Sequence, residues 1–413
     1  MQRIIITGAF RFPDKDAAAA RVLGLGKALS AANYVVEFAG WENAGRAEDL
    51  QQDGSYRYDG FSYYPQADLR SGDLSPARRL LRYLRAGSNT LDWLQATDLS
   101  HVKAIVAYHG NSLFLLKLAR FCRRRGIQLL FDCTEWYDPR ALVGGRFGIV
   151  RIDNELRMRF LNARLKHGIV ISSFLERFYS GRGCAVIRIP PLVDLGESKW
   201  AVTARAEAGS SVGLKLVYAG TPGTKDLLGN ALRGLKLVRS EGHAVTLDIV
   251  GPSRQAVMAC IDGDADLLDT LGDAVVIHGR VPQAKVPSLI ASADFSLLIR
   301  PNQTYANAGF PTKLVESLAA GVPILANRTS DISDYVRDGL EGIVLEDHSP
   351  EAFAAGVRKA LTLSDGQLRD MRVAARTCAA AAFDFTNYVG QLEAFFTAAI
   401  EGRAATDGAG KLH

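Results

Sequence analysis

The sequence predicts an α/β fold built from two doubly wound domains. Short apolar runs alternate with amphipathic helical segments along the 413 residues, a pattern typical of parallel sheets that are covered by helices on both faces. Near the middle, residues 196–213 are polar and rich in small side chains, which predicts a linker. We therefore expect an amino-terminal domain over 1–195, a carboxyl-terminal domain over 214–382, and a terminal helix with a tail over 383–413.

Each domain is predicted to hold six or seven buried strands. In the first half the strand-like apolar runs are 3–7, 35–40, 61–64, 104–108, 128–132, 168–171 and 186–189. In the second half they are 215–219, 246–250, 275–278, 295–299, 323–326 and 342–345. Because ligands of such folds bind beyond the carboxyl ends of parallel strands, functional residues are expected in the segments that follow these runs. Two such domains in tandem are expected to face one another across a cleft.

Composition excludes several protein classes. The chain is 48% hydrophobic and 23% charged, as expected of a globular protein with a large core. Its 5 cysteines form no CxxC pair, which argues against a disulfide framework or a zinc module and for a reducing compartment. The longest apolar runs fall far short of the roughly 20 residues that cross a bilayer. The start, MQRIIITGAF, is typical of a buried strand and not of a signal peptide. A cytoplasmic protein is therefore expected.

Positive charge is concentrated in the first half. Residues 1–195 hold 28 Lys and Arg against 19 Asp and Glu, whereas the remainder holds 21 against 25. In the segment 77–86, ARRLLRYLRA, arginines alternate with leucines so that a basic face adjoins an apolar one. This spacing is typical of a helix at a membrane interface or of a surface helix whose arginine stems cover apolar neighbours. No nucleic-acid-binding signature accompanies the charge, so nucleic acid is not an expected partner.

The most informative motif is GFPTKLVESLAAGVP over residues 309–323. It predicts a loop, a helix that begins after Pro311, and a buried strand. The amides near Leu314 and Val315 would lie at the positive end of this helix and favour an anion there. Lys313 adds a positive charge suited to a phosphate, and Glu316 offers a carboxylate to vicinal hydroxyls such as those of a ribose. The alternative is ordinary helix capping.

This motif, P-x-K-x-x-E-x-x-A-x-G-x-P, resembles that of retaining glycosyltransferases of family 4, which have two Rossmann-like domains in the GT-B fold. The segments 218–225, 248–252 and 276–281 are similar to the strand ends of that family's donor domain. The segments 4–12, 133–136 and 189–194 resemble, more diffusely, parts of its acceptor domain.

The resemblance, taken with the strand-end positions, implies a set of site residues. The expected catalytic residues are His109, Glu135, Lys225 and Glu316. The expected donor-binding residues are Gly8, Ala9, Gly220, Thr221, Lys225, Gly251, Arg280, Tyr305, Asn307, Gly309, Lys313, Leu314, Val315 and Glu316. Among them, Glu316 would bind the donor ribose, and Lys225 would neutralise the diphosphate as it leaves.

Two positions depart from the family pattern. Thr221 stands where many members have an arginine, and Ala308 stands where many have a second glutamate that places the donor sugar. Tyr305, Asn307 and Gly309 are expected to supply contacts in its place.

The resemblance implies transfer of a sugar from a nucleotide diphosphate, UDP- or GDP-linked, to an acceptor hydroxyl with retention of the anomeric configuration. No metal is expected, because no DxD-like carboxylate pair follows a strand. The expected acceptor is a glycan or a lipid-linked intermediate, which the basic first domain would reach at an anionic membrane surface. The alternatives are a non-catalytic partner subunit, which Ala308 favours, and a nucleotide-sugar epimerase. A dinucleotide-dependent oxidoreductase is disfavoured because GAFRFP replaces GxGxxG after the first strand.

Overall fold

The computed structural model describes residues 1–52, 54–68, 76–138, 145, 148–201, 213–223 and 225–402. The chain forms two compact units, one of Met1–Leu192 with the chain from Phe385 onward, and one of Val193–Asp384. Most of the predicted linker, residues 202–212, and the end of the predicted tail, residues 403–413, lie outside the described residues.

The first unit contains an eight-stranded sheet, of order β3-β4-β2-β1-β5-β6-β7-β8. Its strands are β1 (Arg3–Gly8), β2 (Val35–Gly40), β3 (Tyr56–Tyr58), β4 (Phe61–Tyr63), β5 (Val102–Tyr108), β6 (Gln128–Cys133), β7 (His167–Val170) and β8 (Ala185–Arg188). All neighbours pair in parallel except β3 and β4, which form an antiparallel hairpin. Gly8 is aligned with Gly40 on one side and Tyr108 on the other, so the three central strands end at the same edge.

Seven helices accompany this sheet within the described part of residues 1–192, and one more follows at the end of the chain. They are α1 (Ala17–Ala31), α2 (Pro76–Arg85), α3 (Ser88–Ala96), α4 (Ser112–Arg125), α5 (Ile149–Leu156), α6 (Asn162–Leu165), α7 (Ser173–Ser180) and, numbered in chain order, α17 (Val389–Ile400). A π-helical turn over Arg157–Leu161 joins α5 to α6. The side chain of Asp16 caps the start of α1, and that of Asn111 caps α4, each accepting a bond from an amide that the helix leaves unpaired.

The second unit contains a six-stranded parallel sheet, of order β11-β10-β9-β12-β13-β14. Its strands are β9 (Leu214–Ala219), β10 (Val245–Val250), β11 (Val275–Gly279), β12 (Phe295–Leu298), β13 (Ile324–Asn327) and β14 (Gly342–Leu345). Its helices are α8 (Leu228–Ser240), α9 (Arg254–Cys260), α10 (Ala265–Leu271), α11 (Val286–Ala291), α12 (Thr304–Ala308), α13 (Thr312–Ala319), α14 (Ile332–Tyr335), α15 (Pro350–Leu361) and α16 (Asp365–Ala382). The order reverses between β9 and β12, where open α/β sheets bind ligands.

Both faces of each sheet are buried, which explains why the strands read as continuous apolar runs. Along β1, Ile4 and Ile6 belong to the core on one face and Ile5 to the core on the other, since alternate side chains point in opposite directions. Along β9, Leu216 and Val217 divide in the same way. The predicted fold class, two doubly wound α/β domains, is therefore confirmed for each unit.

Two segments differ from the sequence-based expectation. Residues 304–308, for which no helix was predicted, form α12. β3 was not predicted, although Asp59 and Gly60, which join it to β4, both have positive φ, as the two-residue turn of a hairpin requires.

Candidate functional site

The candidate site lies at the carboxyl edge of the second sheet. β9 runs into Gly220, β12 leads to Arg300, and α13 begins after Pro311, which caps it without a side-chain bond. The backbone of Arg300 is fixed by Asn327 at the end of β13. The Arg300 amide donates to Asn327 Oδ1 at 2.8 Å, and Asn327 Nδ2 donates to the Arg300 carbonyl at 2.8 Å. The arginine is thereby held at the strand end although it is only 3% exposed.

Gly220 is a glycine because Lys313 passes over it. Its φ is +135, and a Cβ there would meet the Cε and Nζ atoms of Lys313. Gly251, at the end of β10, has a φ of +116, and a Cβ on it would approach the Gly220 carbonyl oxygen at 2.8 Å. Gly220 therefore leaves room for the lysine side chain, and Gly251 leaves room for the backbone of Gly220.

Three basic side chains surround one carboxylate at this edge. Lys313 Nζ donates to Asp226 Oδ2, Tyr218 donates its hydroxyl to the same oxygen at 3.0 Å, and Arg300 Nε lies 3.7 Å from Asp226 Oδ1. The third basic side chain is Lys225, next to Asp226 in the chain. With all four groups ionised, this basic cluster of Lys225, Arg300 and Lys313 exceeds its carboxylate by two positive charges.

The charged groups of the cluster shift the pKa values of Lys225 and Asp226. Burial lowers the pKa of Lys225 to about 7; Arg300 and Lys313 also lower it, and Asp226 opposes them. Burial by itself would raise the pKa of Asp226, but Lys313, Arg300 and the Tyr218 hydroxyl hold it below its usual value. Lysine and carboxyl groups perturbed in this way indicate a functional site, and the excess of positive charge favours an anion there.

Glu316 lies one turn along α13 from Lys313, on the same face of the helix. Its side chain is half-buried, and burial raises its pKa, against the opposing charges of Lys313 and Lys199. Leu314 and Val315 are buried, and the Leu314 amide donates to the Pro311 carbonyl at 3.1 Å. The Leu314 amide is thus bonded within the first turn of α13, and its expected role in binding an anion stays a prediction.

α12 precedes this helix and contains two of the residues expected to replace the missing glutamate. Asn307 Oδ1 accepts from the Ser330 amide at 2.9 Å, and its Nδ2 donates to Asn302 at 2.8 Å, so the side chain is engaged in holding the neighbouring loop. Tyr305 is buried, and Ala308 is 0% exposed. Gly309 follows the helix, and its carbonyl accepts from the Ser330 hydroxyl.

The remaining predicted donor residues lie further along the same edge. Thr221 is exposed directly after Gly220, and Arg280 is exposed at the end of the edge strand β11. No hydrogen bond or ion pair fixes either side chain among the described residues, so neither belongs to the basic cluster.

The first unit gathers four predicted residues at the carboxyl edge of its own sheet. Gly8 has a φ of +135, and a Cβ there would meet the Tyr108 carbonyl, to which Ala9 donates its amide at 3.0 Å. His109, with a φ of +53, is buried. Its Nε2 lies 2.6 Å from Thr134 Oγ1, next to the half-buried Glu135.

The aromatic residues beside Glu135 pack within the first unit. Trp136 is buried against Phe178, with ring centroids 4.9 Å apart, and donates its Nε1 to Glu155 at 3.0 Å. Tyr137 lies against the His109 ring instead.

Sequence reasoning missed Glu42 in this unit. It follows β2, is 1% exposed, and its Oε2 accepts from the Phe12 amide at 3.2 Å. Burial raises the pKa of Glu42 to about 7, and the strongest opposing effects come from backbone hydrogen bonds.

In the second unit, Arg300 and Asp226 were also missed as site residues. The signal for Arg300 was a charged residue directly after the predicted apolar run 295–299.

Comparison with known proteins finds a family match within the second unit. Residues 214–363 match the family described as glycosyl transferases group 1. The chain is 28% identical over 146 residues to the amylovoran biosynthesis glycosyltransferase AmsK of Erwinia amylovora, covering 34% of this chain and 33% of that protein. It is 32% identical over 99 residues to D-inositol 3-phosphate glycosyltransferase of Geodermatophilus obscurus, covering 24% of this chain and 21% of the relative. The chain thus spans a third or less of the length of these curated relatives.

Solved structures extend the similarity to nearly the whole chain. Sucrose-phosphate synthase of Thermosynechococcus elongatus matches with a TM-score of 0.69 at 15% identity, over 97% of this chain and 100% of that one. HepE of Anabaena, solved in complex with UDP, matches with a TM-score of 0.67 at 13% identity, over 96% of this chain and 100% of that one. The fold is GT-B, as predicted.

Proposed function

We propose that this protein is a retaining glycosyltransferase of family 4 that moves a sugar from a nucleotide diphosphate donor to an acceptor hydroxyl. The observation that carries the proposal is the basic cluster. Lys225, Arg300 and Lys313 exceed Asp226 by two charges when all are ionised, and the diphosphate of a sugar nucleotide carries two negative charges.

Glu316 supports the nucleotide part of the proposal. Its carboxylate lies on the same face of α13 as Lys313, one helical turn away, which suits a pentose joined directly to the diphosphate. Burial raises the pKa of Glu316, so removal from water favours hydrogen bonds between this carboxyl group and paired hydroxyls.

Departure of the nucleotide diphosphate is the step that this cluster would assist. When the bond from the sugar to the diphosphate breaks, negative charge grows on the leaving oxygen. Fixed positive charges stabilise it without reorganisation. The leaving group and the acceptor would share one face of the sugar, which retains the anomeric configuration. We propose that the lysines and the arginine supply this charge and that no metal is needed.

The acceptor is proposed to be a glycan or a lipid-linked intermediate, met in the cytoplasm at the membrane surface. The relative AmsK is named for the biosynthesis of amylovoran, and the first unit contains the basic helix α2. In that unit, His109 and Glu135 are proposed to contact the transferring sugar and the acceptor, with Gly8 and Ala9 beside them.

A nucleotide screen tests the proposal. Thermal shift with UDP, GDP, ADP and their sugar nucleotides is expected to show stabilisation by one nucleotide family, followed by slow release of its diphosphate. Lys225→Gln should abolish the stabilisation, whereas Lys236→Gln, a change of the exposed lysine on α8, should preserve it. Glu316→Gln should remove the preference for a ribonucleotide over its 2′-deoxy form. No stabilisation by any nucleotide would overturn the proposal, and an inverted product in NMR would overturn retention.

A non-catalytic partner subunit is the second candidate, because Ala308 replaces the usual glutamate and is 0% exposed. This candidate predicts nucleotide stabilisation without turnover of any donor. Measured release of the nucleotide diphosphate that depends on an acceptor would exclude it.

A further inference from the structure

The helix α5 and the π-helical turn after it are inverted relative to an ordinary surface helix. They expose an apolar stripe and bury polar side chains. Within the stripe Ile152 is 63% exposed and Phe160 57%, whereas Asn154 and Arg157 are each only 4% exposed. The stripe consists of Ile149, Ile152, Leu156 and Phe160. A helix that turns its apolar face outward leaves that face to be covered by something else.

Two neighbouring helices expose leucines in the same way. On α2, Leu81 is 50% and Leu84 42% exposed. On α4, Leu113 is 39% and Leu116 47% exposed. Each pair is three residues apart, so each lies on one face of its helix.

Hydrogen bonds hold the three helices together at Asp153. The Tyr83 hydroxyl donates to Asp153, and the Ser112 amide donates to Asp153 Oδ1 at 3.0 Å. Tyr83 lies on α2, Ser112 on α4 and Asp153 on α5, and each of them is followed or preceded in sequence by an exposed residue of the set: Leu84, Leu113 and Ile152. The stripe of α5 and the exposed leucines of α2 and α4 therefore lie on three helices that are joined at one point, and we call this set the basic-apolar patch.

Positively charged side chains lie beside the exposed leucines of α2 and α4. On α4, Lys117 and Arg120 are exposed, each four residues beyond one of the leucines. On α2, Arg78 and Arg85 are exposed on either side of Leu81. The sequences of both helices contain no Asp or Glu.

The carboxylates of α5 are already engaged. Asp153 accepts at the junction of the helices, and Glu155 accepts from Arg159 at 2.5 Å and from Trp136 at 3.0 Å. The patch therefore presents apolar side chains bordered by positive charge, without an exposed negative counterpart on α2 or α4. A protein partner of ordinary mixed charge would not require this combination, whereas an anionic lipid surface offers both an apolar layer and phosphate groups.

We propose that the basic-apolar patch docks on the surface of an anionic lipid bilayer, with the stripe of α5 in the acyl boundary and the cations of α2 and α4 on the headgroup phosphates. The purpose of this docking, access to a lipid-linked acceptor, rests on the proposed function. The binding itself needs neither donor nor acceptor.

Vesicle co-flotation tests the docking with the full chain. Wild-type protein is expected to float with vesicles of phosphatidylcholine and phosphatidylglycerol, and about tenfold less with phosphatidylcholine alone. The pair Ile152→Ser and Phe160→Ser should lower partitioning to the anionic vesicles about tenfold. The control Val373→Ser removes a side chain that is 66% exposed on α16, in the other unit, and should have no effect.

The charge component has its own test. Arg85→Gln with Arg120→Gln should reduce binding to anionic vesicles and weaken its salt dependence. Equal flotation of wild type and the Ile152/Phe160 variant, or no flotation of wild type with anionic vesicles, would overturn the proposal. Self-association of the wild type, abolished by the same substitutions and without vesicle binding, would also overturn it and assign the patch to a second copy. Donor-induced stabilisation, measured on the same samples without lipid, reports on the proposed function separately.

Discussion

Lys225 is the residue whose protonation has the most direct consequence for donor binding. Burial and the charges of Arg300 and Lys313 lower its pKa to about 7, so in the protein without ligand it is neutral above that pH. A bound anion stabilises the charged form and raises its pKa again. Donor binding above pH 7 therefore requires the uptake of a proton.

We expect the affinity for a sugar nucleotide to fall as the pH rises above about 7, by up to about tenfold per pH unit for a single proton. A sugar nucleotide is the suitable ligand because its phosphates remain ionised throughout this range. Isothermal titration calorimetry between about pH 6 and about pH 9 measures both the affinity and the proton uptake, through buffers of different ionisation enthalpy.

The residues around Lys225 provide the controls. Lys225→Arg carries a permanent charge and should flatten the pH profile. Arg300→Gln should move the midpoint of the profile upward, since after burial the charge of Arg300 contributes most to lowering this pKa. An affinity that rises with pH, or an equally steep profile in Lys225→Arg, would contradict the assignment.

The candidate site could be predicted only in part because its residues are joined by tertiary geometry. Lys313 and Glu316 share a helical motif with fixed spacing, and sequence reasoning found both. Arg300 joins them because the β12–β9 pairing brings two strand ends together, and Asp226 because Lys313 crosses Gly220. No local sequence pattern encodes either of these two tertiary contacts.

At the level of elements, strands buried on both faces were the most predictable because their apolar runs are continuous. β3 is short, half-exposed and at the sheet edge, so it lacks that run, and only the turn at Asp59-Gly60 identifies its hairpin. α12 has 5 residues, too few for a helical period to appear. The docking of α17 depends on α1, far away in sequence, and no property of α17 alone reveals it.

The position of residue 308 in α12 also predicts that the substitution Ala308→Glu will not recover the role of the usual glutamate. Ala308 is 0% exposed, so Ala308→Glu would bury a carboxyl group. We expect the free energy of unfolding to fall by roughly 2–4 kcal/mol, with no gain in diphosphate release. Chemical denaturation and a coupled nucleotide assay measure the two quantities.

Ala284→Glu is the matched control, because residue 284 is exposed in the same unit; it should change stability by less than about 0.5 kcal/mol. A stable Ala308→Glu variant with faster turnover would show that α12 adjusts to admit the carboxylate.

For the whole molecule, the chain returns at its end to the unit in which it began. After α16 in the second unit, α17 packs on α1, and Leu392 and Phe396, both 0% exposed, join the core that contains Val22 and Leu25. α17 is therefore part of the first core, although the nucleotide of the donor is proposed to bind to the second unit. Stability and ligand binding can thus be perturbed separately.

We expect Phe396→Ala to destabilise the first unit by about 3–5 kcal/mol, through the cavity that it leaves among buried side chains. Phe396→Leu, which keeps most of the apolar volume, should cost less. Differential scanning calorimetry with and without the sugar nucleotide measures the effect, because a ligand raises the transition of the unit that binds it and so identifies the other one. The substitution should lower the transition that the nucleotide does not move and leave donor affinity unchanged at temperatures below it. A fall in the nucleotide-sensitive transition alone would show instead that α17 stabilises the donor-binding unit.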